Sequence, residues 1–394
     1  MTRFALSELG DVVTGSTPPS AYPEWFASKG VPFITPSDAF GITPSITTER
    51  FLSSEGQRAM QARMVPASSV CFVSIGSTIG KMCMTTEPSV TNQQINSLVV
   101  APEVADARVV FYALKRMVDE IIQQASGSAT PIINKAEFSR LVVDLPPLNE
   151  QQAIGATLGA LDDKIDSNRR LAATSAKLVD ALAEELLDNT ETKEVPLSEV
   201  VDFNRLTITP GAPGEFLRYI DIASVSPGRI DATQDLSWRD APSRARRGVA
   251  DGDVLYSTVR PTRRAFVLLV DTLANTVVST GFAVMTPRPS VGSSLLTSII
   301  SRAMFAEYLD SVAQGSAYPV VNVNAMGRYE IDIPCDQSVT SDFEAKTMPL
   351  RRLAAYVESE SASLAALRDT LLPELLAGRL GPGQAKPGGE THEA

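Results

Sequence analysis

Residues 127–147 read GSATPIINKAEFSRLVVDLPP, and residues 315–335 read GSAYPVVNVNAMGRYEIDIPC. The two strings align without a gap, 188 residues apart, with identities at Gly127/Gly315, Ser128/Ser316, Ala129/Ala317, Pro131/Pro319, Asn134/Asn322, Arg140/Arg328, Asp144/Asp332 and Pro146/Pro334. A weaker echo precedes them, where ALSELG from Ala5 is answered by PLSEVV from Pro196. A period this long is no solenoid or propeller unit and indicates a domain duplicated once. Small residues and proline suit a tight turn. Each string is therefore expected to form the junction where a globule hands the chain back to a helix.

Helices are expected after both strings. From about Asn149 to Asn189, the residues Ile154, Leu158, Leu161, Ile165, Asn168, Ala172, Ser175, Val179, Leu182 and Leu186 follow a 4,3 spacing. This is a coiled-coil seam with polar Asn168 in it, a residue type that fixes register at some cost in stability. At ~1.5 Å per residue the helix would be roughly 55–60 Å long. From about Ser341 to Leu376, the residues Leu350, Leu353, Val357, Glu360, Leu364, Leu367 and Leu371 make a similar seam. Pro349 and Pro373 predict kinks or local breaks there, and Gly378 is a stop signal. The two seams most simply pack on each other. A half-chain ending near residue 190 would leave its seam bare and is expected to pair with a second copy as a two-fold dimer.

The remaining sequence falls into two blocks of short Val/Ile/Phe runs and Gly/Pro/Ser/Thr turns, such as VPFITPSDAFG and DVLYSTVRP. These read as mixed domains with several strands and a few helices. The expected division is a first domain over 1–148, a helix over 149–190, a second domain over 191–336, a helix over 337–378 and a disordered tail over 379–394.

Composition narrows the function. The chain has 394 residues, 44% of them hydrophobic, with a mean hydropathy of +0.02, enough for ordinary cores. The run AFVLLV from Ala265 is too short to span a bilayer, and the N-terminus MTRFALSELGDVV lacks signal-peptide architecture. Cys71, Cys83 and Cys335 read as buried thiols in a reducing cytosol, and the expected location is cytoplasmic. The only histidine, His392, lies in the Gly/Pro-rich tail, which removes Ser-His-Asp and Cys-His catalysis and most zinc chemistry. A net charge of −11 argues against a simple basic nucleic-acid binder.

The order of these words resembles the specificity subunit of type I restriction–modification systems over nearly the whole chain. The resemblance rests on LSELGDVVTGSTPPSAYPEWF with VPFITPSD, on VSIGSTIGK, TNQQIN and GSATPIIN, and on DLPPLNEQQAI. In the second half it rests on YIDIASV, DVLYSTVRP, VVSTGFAVMTP and RDTLLPELLAGRL. The departure is CDQSVTSDFEAK after Pro334, where a PPxxEQ-type word is absent, which leaves the start of the second helix open. The resemblance implies an α+β fold with pseudo-two-fold symmetry. Two similar mixed α/β target-recognition domains would be separated by two long conserved helices packed as an antiparallel coiled coil. It implies partners as well: double-stranded DNA with a split, asymmetric site, two methyltransferase subunits and restriction/translocase subunits. This chain would hold no cofactor, while S-adenosylmethionine, ATP and Mg would be used by those partners. Paired modules match paired half-sites about one turn, ~34 Å, or a multiple apart, and the helix pair would then act as a ruler.

Candidate DNA contacts in the first domain are neutral and polar: Thr17, Thr35, Ser37, Ser74, Ser77, Thr78, Lys81, Asn92, Gln93 and Gln94. Asn and Gln pair with adenine edges, and Thr methyls suit thymine. In the second domain they are Arg244, Arg246 and Arg247 in PSRARRG, Arg260, Thr262, Arg263 and Arg264 in VRPTRRA, and Thr280. Arginine reads guanine bidentately and grips phosphates. Those after DVLYSTV lie at a strand end and are favoured for base contact. The bland alternatives are turn residues and a solvated basic surface balanced by Asp251 and Asp253. The helix seam is represented by Leu158, Leu161, Ile165, Asn168, Leu182, Leu350, Val357, Leu364 and Leu371.

No catalysis is legible. SIGSTIGKM from Ser74 fails as a phosphate loop, because three residues separate Gly76 from Gly80 and Met82 follows Lys81. Leu145-Pro146-Pro147-Leu148 lacks the amide and aromatic that would hold a flipped base. Two other readings remain open from sequence alone: a coiled-coil scaffold without a DNA role, and a stand-alone DNA-modifying enzyme.

Overall fold

The computed structural model describes residues 1–125, 132–209, 215–315 and 319–380. The chain forms two compact units: Met1–Ser167 with the chain from Ser363 onward, and Asn168–Ala362.

Both units are built on one plan. In the first, strand Thr2–Ala5 pairs antiparallel with Val142–Leu145. An antiparallel four-stranded sheet runs Met82–Met84, Val70–Val73, Ile95–Val100, Gly10–Thr14. A five-stranded sheet runs Phe26–Ala27, Phe51–Leu52, Val31–Ile34, Ser89–Thr91, Met64–Val65, with Val31–Ile34 and Ser89–Thr91 parallel. In the second unit Thr192–Pro196 pairs with Glu330–Pro334. Its four-stranded sheet runs Phe266–Leu268, Val254–Ser257, Phe282–Pro287, Val201–Phe203. Its five-stranded sheet runs Leu206–Thr207, Ala245–Gly248, Thr276–Ser279, Phe216–Ile220, Gln234–Ser237, again with one parallel pair, Phe216–Ile220 with Thr276–Ser279. Only the edge strand differs. Phe26–Ala27 extends one end of the first sheet, and Leu206–Thr207 extends the opposite end of the second.

Each globule's core continues into the long helices. In the first unit Phe72, Tyr112, Phe138 and their neighbours form one cluster with Ile154 and Leu158 of helix Leu148–Asn189, and with Leu372, Leu375 and Leu376 of helix Gln337–Leu376. In the second, Tyr256, Leu295, Phe305 and Ile331 share a cluster with Val179, Ala183 and Phe343. Burying a side chain of this size stabilises by roughly 1.5–3 kcal/mol, so neither globule closes its core without the helices. In the first unit the start of the first helix meets the end of the second. In the second unit the end of the first meets the start of the second. The pair is therefore antiparallel.

The second long helix begins at Gln337, at the opening of the expected division 337–378 and four residues before the seam reading of about Ser341. Asp336 accepts the Ser338 N–H (2.8 Å) and so caps the helix start. The Ser338 donors hold the Asp336 carboxyl below its ordinary pKa. Pro349 and Pro373 break nothing, since the helix is continuous from Gln337 to Leu376. Each removes one backbone bond, and the packing on either side holds the helix across it.

The first seam is largely where it was read. Ile154, Leu158, Ile165, Asn168, Ala172, Ser175 and Val179 are buried, with Leu161 and Leu182 half-buried. The second is shifted at three positions. Leu353 and Leu367 are 39% and 47% exposed, while Ser361 and Arg368 are buried and Ala354 is half-buried beside Val357. Leu350, Leu364 and Leu371 are half-buried, and Glu360 reaches the seam by accepting the Asn168 Nδ2–H at 2.6 Å. A hydrophobicity rule follows the leucines, but here small and polar residues fill the buried phase. Cys71 and Cys83 are buried and stand opposite each other on paired strands, whereas Cys335 is exposed, contrary to the expectation for all three. It sits one residue past the end of strand Glu330–Pro334. Residues 381–394 of the expected tail lie outside the described residues. Among the described residues no helix is long and apolar enough to cross a membrane.

Candidate nucleic-acid interface

The repeated strings do more than turn the chain. Residues 127–131 and 316–318 lie outside the described residues, but the ends of both strings are described. Ile133 N–H donates to the Ser74 carbonyl (2.9 Å), and Val321 N–H donates to the Thr258 carbonyl (2.8 Å). Ile132 bridges Ile75, and Val320 bridges Val259. Each string then caps a short helix. The Asn134 side chain accepts the Glu137 N–H (3.0 Å) before helix Lys135–Arg140, and Asn322 accepts the Asn324 N–H (2.8 Å) before helix Val323–Met326. The two asparagines of the repeat thus hold equivalent backbone positions. Asn134→Ala and Asn322→Ala are each expected to lower stability by about 1 kcal/mol, read as a lower urea midpoint at unchanged m value.

The segments held by the strings are the two loops singled out in sequence. In the first globule strand Val70–Val73 leads through Ser74 into the short turn Gly76–Thr78 and returns at Met82. Gly80 has φ +88°, and a Cβ there would stand 2.7 Å from Val118 Cγ1, so both conformation and space call for glycine. Around this loop the polar stretches converge. Ser74 N–H donates to the Gln94 carbonyl (2.8 Å), Asn92 N–H to the Ile34 carbonyl (2.9 Å) and Ser16 N–H to the Thr91 carbonyl (2.9 Å). The Thr17 hydroxyl donates to Gln93 Oε1. Lys81 Nζ lies 3.5 Å from the Pro36 carbonyl and 5.3 Å from the Phe40 ring centre.

Thr17, Ser37, Ser77, Lys81 and Gln93 are exposed on this surface, with Thr78, Asn92 and Gln94 half-buried. Thr35 and Ser74 are buried. Thr35 bonds Asp38, while the Ser74 hydroxyl donates to the Phe72 carbonyl and accepts from Asn96 Nδ2 (2.8 Å). Their side chains hold the surface from beneath. Asn96, which closes the word TNQQIN but is not among the candidate contacts, also accepts the Thr14 hydroxyl (2.7 Å) and donates to the Ile133 carbonyl (3.3 Å). An amide inside the largely apolar strand INSLVV is a further signal of its role.

In the second globule strand Val254–Ser257 leads through Thr258 into the turn Pro261–Arg263 and returns at Phe266. Thr258 N–H donates to the Gly281 carbonyl (2.9 Å), Arg260 N–H to the Pro319 carbonyl (2.8 Å) and Thr280 N–H to the Arg244 carbonyl (2.9 Å). Arg260 and Arg264 have φ of 51° and 52°, in the left-handed region that non-glycine residues rarely occupy. Such strain persists only where the surroundings enforce it and gathers at functional sites. Arg244, Thr262, Arg263 and Thr280 are exposed, and Arg246, Arg247, Arg260 and Arg264 are half-buried. Arg264 donates to the Ser301 carbonyl, and Arg246 Nη1 donates to the Ala245 carbonyl (2.7 Å). The Nε atoms of Arg247 and Arg264 are buried without a partner. Both globules therefore hold the same loop in the same way. The first presents hydroxyls, amides and one lysine, and the second presents arginines.

Residues 1–174 match the family model described as the type I restriction modification DNA specificity domain. Over 145 residues the chain is 34% identical to the type I restriction enzyme HindI specificity subunit of Haemophilus influenzae, covering 36% of this chain and 31% of that protein. Over 187 residues it is 22% identical to the MjaIX specificity subunit of Methanocaldococcus jannaschii, covering 47% and 42%. These matches span about a third to two-fifths of the curated relatives' lengths. The crystal structure of a type I restriction-modification S subunit from M. genitalium superposes with a TM-score of 0.58 at 17% identity, over 95% of this chain and 96% of that one, so the fold is shared almost end to end. The first globule and the start of the first long helix thus match a type I specificity domain, and the duplicated plan shares its fold with a type I S subunit.

Proposed function

We propose that this chain is the DNA-reading subunit of a type I complex, non-catalytic itself and acting in the cytoplasm. Each globule reads one half of a split, asymmetric site in double-stranded DNA. Two methyltransferase subunits using S-adenosylmethionine modify adenines at the site, and restriction/translocase subunits using ATP and Mg act on unmodified DNA. One observation carries the reading. Equivalent loops, Ser74–Lys81 and Thr258–Arg264, are fixed by equivalent backbone bonds yet bear different chemistry. Rigid loops with unlike side chains suit two half-sites of unlike sequence. The amides of Asn92, Gln93 and Gln94 fit adenine edges, and Arg260 and Arg263 fit guanine.

The acidic balance does not oppose this. Asp162, Asp163, Glu184, Glu185, Glu358 and Glu360 all lie on the long helices and not in the loops. Non-specific affinity comes from neutralised phosphates, so the isolated chain should bind DNA weakly and the assembled complex tightly. Replacing Arg260 and Arg263 by Ala should weaken recognition of one half-site by ~1–3 kcal/mol per base contact and leave the other preference intact. Sequencing DNA selected by the assembled complex measures both halves at once. Unchanged affinity and preference at both halves would remove the arginines from the site. Turnover of DNA by the purified chain alone would overturn the non-catalytic role.

A further inference from the structure

In each unit an ion pair ties the long helices together. In the first, Arg368 Nη1 donates to Asp162 Oδ1 at 2.8 Å, with side-chain exposures of 1% and 2%. Tyr112, from globule helix Ala107–Arg116, donates its hydroxyl to both Asp162 oxygens at 2.8 Å. In the second, Arg351 Nη2 donates to Asp180 Oδ1 at 3.0 Å, with exposures of 11% and 41%. Ser298, at the same stage of the second globule in helix Ser293–Ile300, donates to Asp180 at 2.8 Å. Along the helices the buried positions repeat at 189 residues, Ile154 with Phe343, Leu158 with Thr347 and Ala172 with Ser361, which carries Asp162 onto Arg351 and Val179, the neighbour of Asp180, onto Arg368. The two bridges therefore lie within one residue of equivalent places, with their charges exchanged.

The exchange bears on which helices can pair. If two first halves met along their seams, Val179 would take the place of Arg368, and Asp180 of the other copy, which here bonds Arg351, the counterpart of Asp162, would meet Asp162. If two second halves met, Arg351 would face Arg368. Either pairing sets like charges together where burial makes an unpaired charge costly. Asn168 adds to this. Its partner Glu360 would be replaced by Leu171, so its amide would lose the 2.6 Å bond. We propose that these bridges sort the helices, so that a first half pairs only with a second half and self-pairing of either half is refused. The symmetric half-chain dimer expected from an apolar seam alone is thereby excluded.

The test uses the full chain with a protease site placed in the connection at Thr190–Glu191, between helix Leu148–Asn189 and strand Thr192–Pro196. Tagged and untagged samples are cleaved after folding, mixed until tagged and untagged partners have exchanged, and read by native mass spectrometry. The wild-type halves should form unlike pairs in at least ~100-fold excess over like pairs. Asp162→Arg with Arg368→Asp keeps the unlike pair complementary but makes both like pairs complementary too, so like pairs should appear at near-statistical share. Adding Asp180→Arg and Arg351→Asp restores the opposition and should return the mixture to unlike pairs. Like pairs at statistical share in the wild type would overturn the proposal, whether or not any variant folds. Exclusive unlike pairing in the Asp162→Arg, Arg368→Asp form would overturn it as well.

Discussion

Arg368→Met is expected to destabilise the first unit by about 3–5 kcal/mol, because it leaves Asp162 buried without its cation. The side chain is 1% exposed and makes several bonds: to Asp162, to the Ile42 carbonyl (2.8 Å) and to Asp369 (2.8 Å). Burial already raises the Asp162 carboxyl above its ordinary 3.8, and the bonds from Arg368 and Tyr112 hold it down only in part. Without the guanidinium the carboxyl should rise further. A group whose folded-state pKa lies above the unfolded value takes up a proton on folding, so its cost grows as pH rises through that interval. The deficit of Arg368→Met should therefore be larger at pH 8 than at pH 5. Asp162→Leu together with Arg368→Met removes both charges and should recover most of the loss, since a buried pair can often be replaced by apolar residues at little cost. Urea unfolding of the three variants at the two pH values measures this. A single mutant within 1 kcal/mol of wild type would mean that water reaches Asp162.

The duplication was legible because it lies in the chain's identities, and Asn134 and Asn322 prove to be helix caps at matching places. The first seam was legible because Ile154, Leu158 and Ile165 are both apolar and buried. The second was not. Its buried phase runs through Thr347, Ser361 and Arg368, which no hydrophobicity pattern selects, and its leucines at 353 and 367 face outward. The ion pairs were invisible for a related reason: they join residues 206 and 171 positions apart, and each charge read alone is an ordinary solvated helix residue. At the loops, residue type suggested the chemistry, but only the fold shows that Thr35 and Ser74 lie beneath the surface, or that Arg264 is turned onto Ser301.

That seam difference sets the second large expectation. Leu158→Asp should cost about 4 kcal/mol or more, enough to unfold the first unit or open its helix pair. Leu158 is fully buried in the cluster that joins Phe138 and Ile154 to Leu372 and Leu375. A carboxylate there would displace apolar packing and meet no cation within the cluster, so it must either be protonated or draw water in. Leu161→Asp, at a half-buried position, should cost less. Leu367→Asp should stay within about 0.5 kcal/mol of wild type, because the leucine is 47% exposed. The neighbouring positions Leu367 and Arg368 make the comparison sharp. A seam drawn through the leucines predicts a severe loss at Leu367 and indifference at Arg368, and the observed packing predicts the reverse. Denaturant midpoints of Leu158→Asp, Leu367→Asp and Arg368→Met on the same chain decide between them. A midpoint for Leu367→Asp as low as that of Leu158→Asp would restore the leucine phase and remove Arg368 from the seam.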